Sequence, residues 1–244
     1  MGRLFHSRAG VNPVHAAVVE GERIVTYAEL EDRTSRLANY MIDLGLERGD
    51  RVGIFARNCA EYVEVELAAA KAGVIVAALN WRLGDRELGH CARLVEPKLI
   101  ISQGDLSGTL DRLGLPEHKR IILGDDYEAC LAEANKDYPD ISVEPEDGLV
   151  ILYTSGTTGL PKGALISHRA MIARAMCFAS EMEVPIGDYF VAWAPFYHMA
   201  STDQSIAILL RGGTVHVVEG YQPDILIDII ERVPMRLFVL LPAW

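Results

Sequence analysis

Residues 153–163 read Tyr153-Thr154-Ser155-Gly156-Thr157-Thr158-Gly159-Leu160-Pro161-Lys162-Gly163. They follow an apolar run, 149–153, that predicts a strand, and they precede a helical pattern whose predicted N-cap is Ser167. Three glycines permit positive φ and let the backbone approach a ligand closely. The hydroxyls of Ser155, Thr157 and Thr158 can donate to phosphate oxygens beside exposed backbone N–H groups, and Lys162 adds a neutralising charge. Strand, Gly-rich loop and helix in that order predict a phosphate-holding turn. It is not a Walker A loop, because the G-x-x-x-x-G-K-[ST] spacing is absent and Lys162 is followed by Gly163. G-x-G-x-x-G is absent too, which excludes the dinucleotide fingerprint. A plain Ser/Thr/Gly turn is the alternative.

Outward from that loop the chain alternates helix and strand. Thr26-Tyr27-Ala28-Glu29 has the spacing of a capping box. Leu30, Leu37, Tyr40, Met41 and Leu44 then recur at helical spacing, and Gly45 offers a left-handed stop. Asn58 with Glu61 predicts the opening of a second helix, which Gly73 closes. Short apolar runs predict strands at 51–56, 74–79, 98–102, 120–123, 149–153, 214–218 and 236–241, and helices fit 169–180, 203–210 and 223–232. The alternation predicts an α/β fold of mostly parallel sheets flanked by helices. Residues 135–148, with two prolines and several acids, read as a linker. The division expected is a first α/β subdomain over 1–140 and the start of a nucleotide- and acid-binding subdomain over 141–244.

Composition narrows the function classes. Of 244 residues, 50% are hydrophobic and 23% charged, which excludes a disordered tail, a collagen and a coiled coil. A balance of 23 Lys+Arg against 34 Asp+Glu leaves net charge −11 and argues against nucleic-acid or anionic-membrane binding. Cys59, Cys91, Cys130 and Cys177 form no CxxC pair and have no metal-ligand spacing, so buried free thiols in a reducing compartment are expected and no metal site is assigned. Pro13 and nearby charges break any signal-peptide core, and Lys71 and Gly73 interrupt the longest apolar stretch. A soluble, cytoplasmic protein without a membrane span is expected. The chain stops at FVLLPAW, directly after an apolar run, which suggests a fragment, or a partner that covers it: a second copy or a complementing chain.

At this point the sequence resembles a family. YTSGTTGLPKG looks like the signature of the adenylate-forming superfamily of AMP-dependent synthetases and ligases, including acyl- and aryl-CoA synthetases. Val25-Thr26-Tyr27-Ala28-Glu29-Leu30 is similar to an early segment of that family. Lys71-Ala72-Gly73 and Leu79-Asn80-Trp81-Arg82-Leu83 are similar to a stretch of its CoA ligases. Ile166-Ser167-His168-Arg169, Pro195-Phe196-Tyr197-His198 and Leu210-Arg211-Gly212-Gly213-Thr214 resemble further motifs in register.

The resemblance implies the N-terminal domain of such an enzyme, incomplete, with its C-terminal domain absent. It implies two half-reactions. A carboxylate attacks the α-phosphate of ATP–Mg²⁺, giving an acyl-adenylate and pyrophosphate, and a thiol, usually CoA, then takes the acyl group. By position, Thr154, Ser155, Gly156, Thr157, Thr158, Gly159 and Lys162 would clamp the phosphates and neutralise the charge of the departing pyrophosphate. His198 would orient the acid and α-phosphate, and Phe196, Tyr197, Met199 and Trp244 would line the acid pocket. The residues after His198, Met199-Ala200-Ser201, lack the small glycine often found there. The family's adenine, ribose and Mg²⁺ ligands and its catalytic lysine would lie beyond Trp244, so this chain alone is expected to adenylate poorly. An acceptor thiol on a carrier protein, and a non-catalytic nucleotide- or partner-binding role, are the alternatives.

Overall fold

The computed structural model describes residues 1–115, 118–154 and 159–240. In chain order these form α1 (Gly2–Val11), β1 (Ala16–Glu20), β2 (Arg23–Thr26), α2 (Tyr27–Asp43), β3 (Arg51–Phe55), α3 (Ala60–Ala72) and β4 (Ile75–Ala78). There follow α4 (Asp85–Val95), β5 (Leu99–Ser102), α5 (Gly104–Arg112), β6 (Lys119–Ile122), α6 (Asp125–Glu133), β7 (Gly148–Thr154) and β8 (Lys162–Ser167). The last are α7 (His168–Glu181), β9 (Tyr189–Ala192), α8 (Met199–Leu210), β10 (Thr214–Val217) and α9 (Pro223–Arg232).

Two sheets result, in the strand orders β6-β5-β3-β4-β7-β8 and β2-β1-β10-β9. All pairs are parallel except β7–β8 and β1–β2. This is the α/β fold of mostly parallel, helix-flanked sheets that the alternation predicts. β4 and β5 are buried along their whole length, as expected of uninterrupted apolar runs in a parallel sheet. Residues on both sides of position 140 contribute to each sheet: β7 and β8 extend the larger one, and β1 and β2 extend the smaller one.

The capping box forms as read. Thr26 Oγ1 accepts from Glu29 N at 3.2 Å, and Glu29 Oε2 accepts from Thr26 N at 2.7 Å. Gly73 closes α3 at φ +71°. Helix α3 touches β3, β4 and β7 of the larger sheet and β1 of the smaller, so it lies between them. Three of its charged residues, Glu64, Glu66 and Lys71, are enclosed. Lys71 Nζ meets Glu31 Oε2 and Thr34 Oγ1 at 2.8 Å, Ser35 Oγ at 2.9 Å and Glu31 O at 3.1 Å.

Three expectations are corrected. Residues 236–240 form no strand: Arg236 N donates to the Asp188 carboxylate, and Val239 O accepts from Trp193 Nε1 at 2.9 Å. With those groups bonded to side chains at the two ends of β9, the run has no ladder to join. Asn58 does not cap α3, whose N-cap is Cys59 without a side-chain bond. Of the cysteines expected to be buried, Cys177 is exposed and Cys130 only half-buried. Among the described residues, no helix is long and apolar enough to cross a membrane.

Candidate functional site

β7 and β8 pair from Gly148↔Ser167 to Thr154↔Lys162. Thr154 and Lys162 therefore face each other across the last rung of the ladder, and both are exposed. Ser155, Gly156, Thr157 and Thr158 lie outside the described residues. Gly159 sits at φ +94°, and a Cβ there would meet only open space. Gly163 is required for another reason: its Cβ would stand 2.9 Å from Ile151 Cγ2. Lys162-Gly163-Ala164-Leu165-Ile166-Ser167 has no apolar/polar alternation, which concealed β8 in the sequence.

Helix α4 holds the base of the loop. Tyr153 Oη donates to Cys91 O at 3.0 Å, and His90 Nε2 lies 3.1 Å from Pro161 O. Burial pushes the Tyr153 hydroxyl well above its ordinary range, so it stays a donor. A cavity of about 230 Å³ opens here, lined by Asn80, Leu83, Glu87, Tyr153, Thr154, Gly159 and Pro161.

The second group of candidates follows β9. His198 is the N-cap of α8, and its Nδ1 accepts from Ala200 N at 3.3 Å. That bond occupies the Nδ1 lone pair and assigns the neutral ring's proton to Nε2. The residue is exposed, and burial is partial at Tyr197 and Met199. Burial raises the Tyr197 hydroxyl, and the Arg82 guanidinium works against that rise. Phe196 is fully buried, its ring stacked on Tyr62 at 4.9 Å and 16°. It supports the loop from the core rather than presenting surface. Trp244 lies outside the described residues.

What pins this loop is Asn58, which sequence reasoning had placed elsewhere. Its Nδ2 donates to Ala192 O, Ala194 O and Val218 O at 3.0, 2.8 and 3.1 Å, and its Oδ1 accepts from Phe196 N at 3.0 Å. Ser201 Oγ donates to Ala194 O, and Thr202 Oγ1 to Phe196 O. The hydroxyls of Ser201 and Thr202 and the amide of Asn58 thus meet backbone acceptors of this tight loop.

Residues 80–83 connect the two groups. Asn80 and Leu83 line the cavity beside the β7–β8 hairpin, while Arg82 reaches Tyr197. Two guanidiniums approach the Trp81 ring, Arg57 at 5.1 Å and Arg82 at 5.0 Å from its centre. Behind them the buried Tyr62 hydroxyl is within electrostatic reach of both Tyr153 and Tyr197. One turn further along α3, burial holds the Glu66 carboxyl far above the usual carboxylate range, and the buried Asp203 pairs with Arg174. The Leu79-Asn80-Trp81-Arg82-Leu83 resemblance was the sequence signal for residues 80–83. Asn58 and His90 gave none.

Comparison with known proteins agrees with this geometry. A family model described as AMP-binding enzyme matches residues 5–244. Feruloyl-CoA synthase of an Amycolatopsis species is 31% identical over 226 residues, 92% of this chain and 45% of that protein. The fatty acid–[acyl-carrier-protein] ligase ScoC of Streptomyces coeruleorubidus is 27% identical over 98% of this chain and 47% of its own length. The inhibitor-bound N-terminal domain of FACL13 from Mycobacterium tuberculosis superimposes with a TM-score of 0.88 at 28% identity, covering 95% of this chain and 61% of that one. The chain spans about half the length of the curated relatives it matches. With the family model running over nearly the whole chain, the chain belongs to the AMP-binding, adenylate-forming enzyme family, matching the N-terminal part of its acyl- and aryl-CoA ligases.

Proposed function

We propose that this chain supplies the triphosphate-holding and acid-facing part of an ATP-dependent carboxylic acid–thiol ligase. The observation that carries the reading is the loop stem: Thr154 and Lys162 stand opposite each other, and Thr154 lines a cavity together with the open, left-handed Gly159. An exposed hydroxyl, an exposed ammonium and an unobstructed backbone are the donor set that phosphate oxygens need. These residues fit the phosphates of ATP. Among the described residues no group of three His, Cys, Asp or Glu side chains is arranged to hold a metal, so no step is assigned to Mg²⁺ here.

The chain's own contributions follow from the geometry. Lys162 neutralises charge as pyrophosphate leaves. His198 presents its Nε2–H at the N-terminus of α8, whose positive dipole end also favours a carboxylate or phosphate. Tyr197 and Met199 offer the flanking surface for the acid. The thiol acceptor is CoA or a carrier protein, as in the names of the two relatives, and product analysis with each separates them.

Calorimetric titration with ATP tests the reading. The parent chain binds ATP, and Lys162→Ala weakens binding about tenfold, the scale of one charge-assisted contact. Equal affinity in parent and variant rejects the clamp. The same chain is expected to release no pyrophosphate in an acid-dependent manner by itself. Detectable release would show that this half of the fold suffices for adenylation.

A further inference from the structure

Two consecutive residues of α4 hold the two legs of the β7–β8 hairpin. Cys91 O takes the hydrogen bond from Tyr153 Oη on one leg, and His90 Nε2 lies 3.1 Å from Pro161 O on the other. The anchor points fall immediately before Thr154 and immediately before Lys162. A carbonyl oxygen only accepts, so Nε2 of His90 must carry the proton. Pro161 has no N–H, which leaves its carbonyl as its one backbone hydrogen-bonding group. The same helix sends Glu87 to the cavity wall beside Thr154 and Gly159.

We propose that His90 is a positioning residue for the phosphate loop: its Nε2–H, holding the Pro161 carbonyl, sets where Lys162 stands relative to Thr154 and so the spacing of the phosphate clamp. This rests on the reading of residues 153–163 as a triphosphate clamp. His90 touches no substrate and acts through the backbone of its neighbour. A helix is a firmer platform for that than the loop itself, since its own backbone bonds keep the imidazole's origin in place.

The test compares His90→Leu, which removes the donor, with His90→Gln, whose amide keeps one. In the parent, the ¹⁵N spectrum of the His90 imidazole should show a protonated Nε2. Hydrogen exchange at the amides of 159, 160, 162 and 163 needs no ligand, and it should quicken about tenfold in His90→Leu and return to within about twofold of the parent in His90→Gln. Affinity for ATP should fall about five- to tenfold in His90→Leu and recover in His90→Gln, with the melting temperature of both unchanged. An unprotonated Nε2, parent-like exchange in His90→Leu, or a glutamine variant as impaired as the leucine one overturns the proposal. A parent chain that binds no ATP overturns the clamp itself. The exchange comparison would still decide whether His90 holds Pro161.

Discussion

At the scale of single residues, Asn58 does the most that local sequence does not announce. An asparagine just ahead of an apolar helix reads as an N-cap. Here its amide instead bonds backbone groups 134 to 160 residues away and holds the loop that carries His198. Substituting Asn58→Leu keeps roughly the volume and takes the Asn58 partner from Val218 O and Phe196 N in a site only 7% exposed, while Ala194 O keeps Ser201 Oγ and Ala192 O keeps Val218 N. At roughly 1–3 kcal/mol for a buried group left unpaired, and with some groups finding water, a loss of about 3 kcal/mol is expected in urea unfolding. A loss below about 1 kcal/mol would mean the loop stands without it. His198 was legible for the opposite reason: its neighbours Pro195, Phe196 and Tyr197 form a motif read as a unit. Even there, the motif did not reveal that Phe196 faces inward, because a fully buried ring and a pocket-lining ring share one residue type. His90 shows a third case. A lone histidine on an amphipathic helix carries no pattern, and its partner, a carbonyl 71 residues on, is a product of the fold.

At the scale of elements, legibility followed local signals. Helix α2 was marked by its capping box, the close of α3 by Gly73, and β3 to β5 by runs too apolar to be anything but buried. β8 was missed because Lys162-Gly163-Ala164-Leu165 alternates nothing and is exposed. The predicted helix 203–210 starts four residues after α8 does, and the polar run Ser201, Thr202, Asp203, Gln204 and Ser205 overlaps that difference. All five are buried, and burial was affordable because loop carbonyls and Arg174 accept or balance part of the set. Helix α3 poses the same problem with charges. Glu64 is fully enclosed and accepts from Arg33 Nε at 2.7 Å, Arg33 Nη2 at 3.0 Å and Tyr127 Oη at 2.8 Å, tying α3 to α2 and α6. Removing one member of such a buried pair costs about 3–5 kcal/mol, and the contact of Arg33 with Glu128 moderates this toward the lower figure. Glu64→Ala should therefore lose about 3 kcal/mol, and a double-mutant cycle with Tyr127→Phe should show coupling of about 1 kcal/mol. Additive effects would show that the three helices are joined by packing alone.

At the scale of the whole molecule, the alternation of elements predicts parallel sheets but not their membership. Val18 pairs with Val215 across nearly the full chain, and no local pattern specifies such a partner. Closing the chain this way encloses groups that carry no signal of their own, and His168 is one of them. It is 1% exposed at the start of α7, and neither ring nitrogen has a partner among the described residues. Burial first, and the Met1 amine second, push its pKa down to about 4 against the pull of Asp147. An unfolded histidine titrates near 6.5. Between these values the unfolded chain binds the extra proton, so stability rises with pH. It is complete above about 6.5 and is lost as pH falls toward 4, by about 3 kcal/mol in all. Glu66 slopes the other way: its raised pKa contributes stability at low pH that is lost as pH rises. Asp147, held low by Arg48, loses its contribution only beneath this window. The parent curve alone is therefore a sum, and the difference from His168→Leu isolates one member. Urea unfolding of both chains at pH near 7 and near 4 should show the parent losing about 3 kcal/mol more than the variant. A constant offset at both values would show instead that the fold keeps His168 protonated, with water or a rearranged α7 supplying the partners it now lacks.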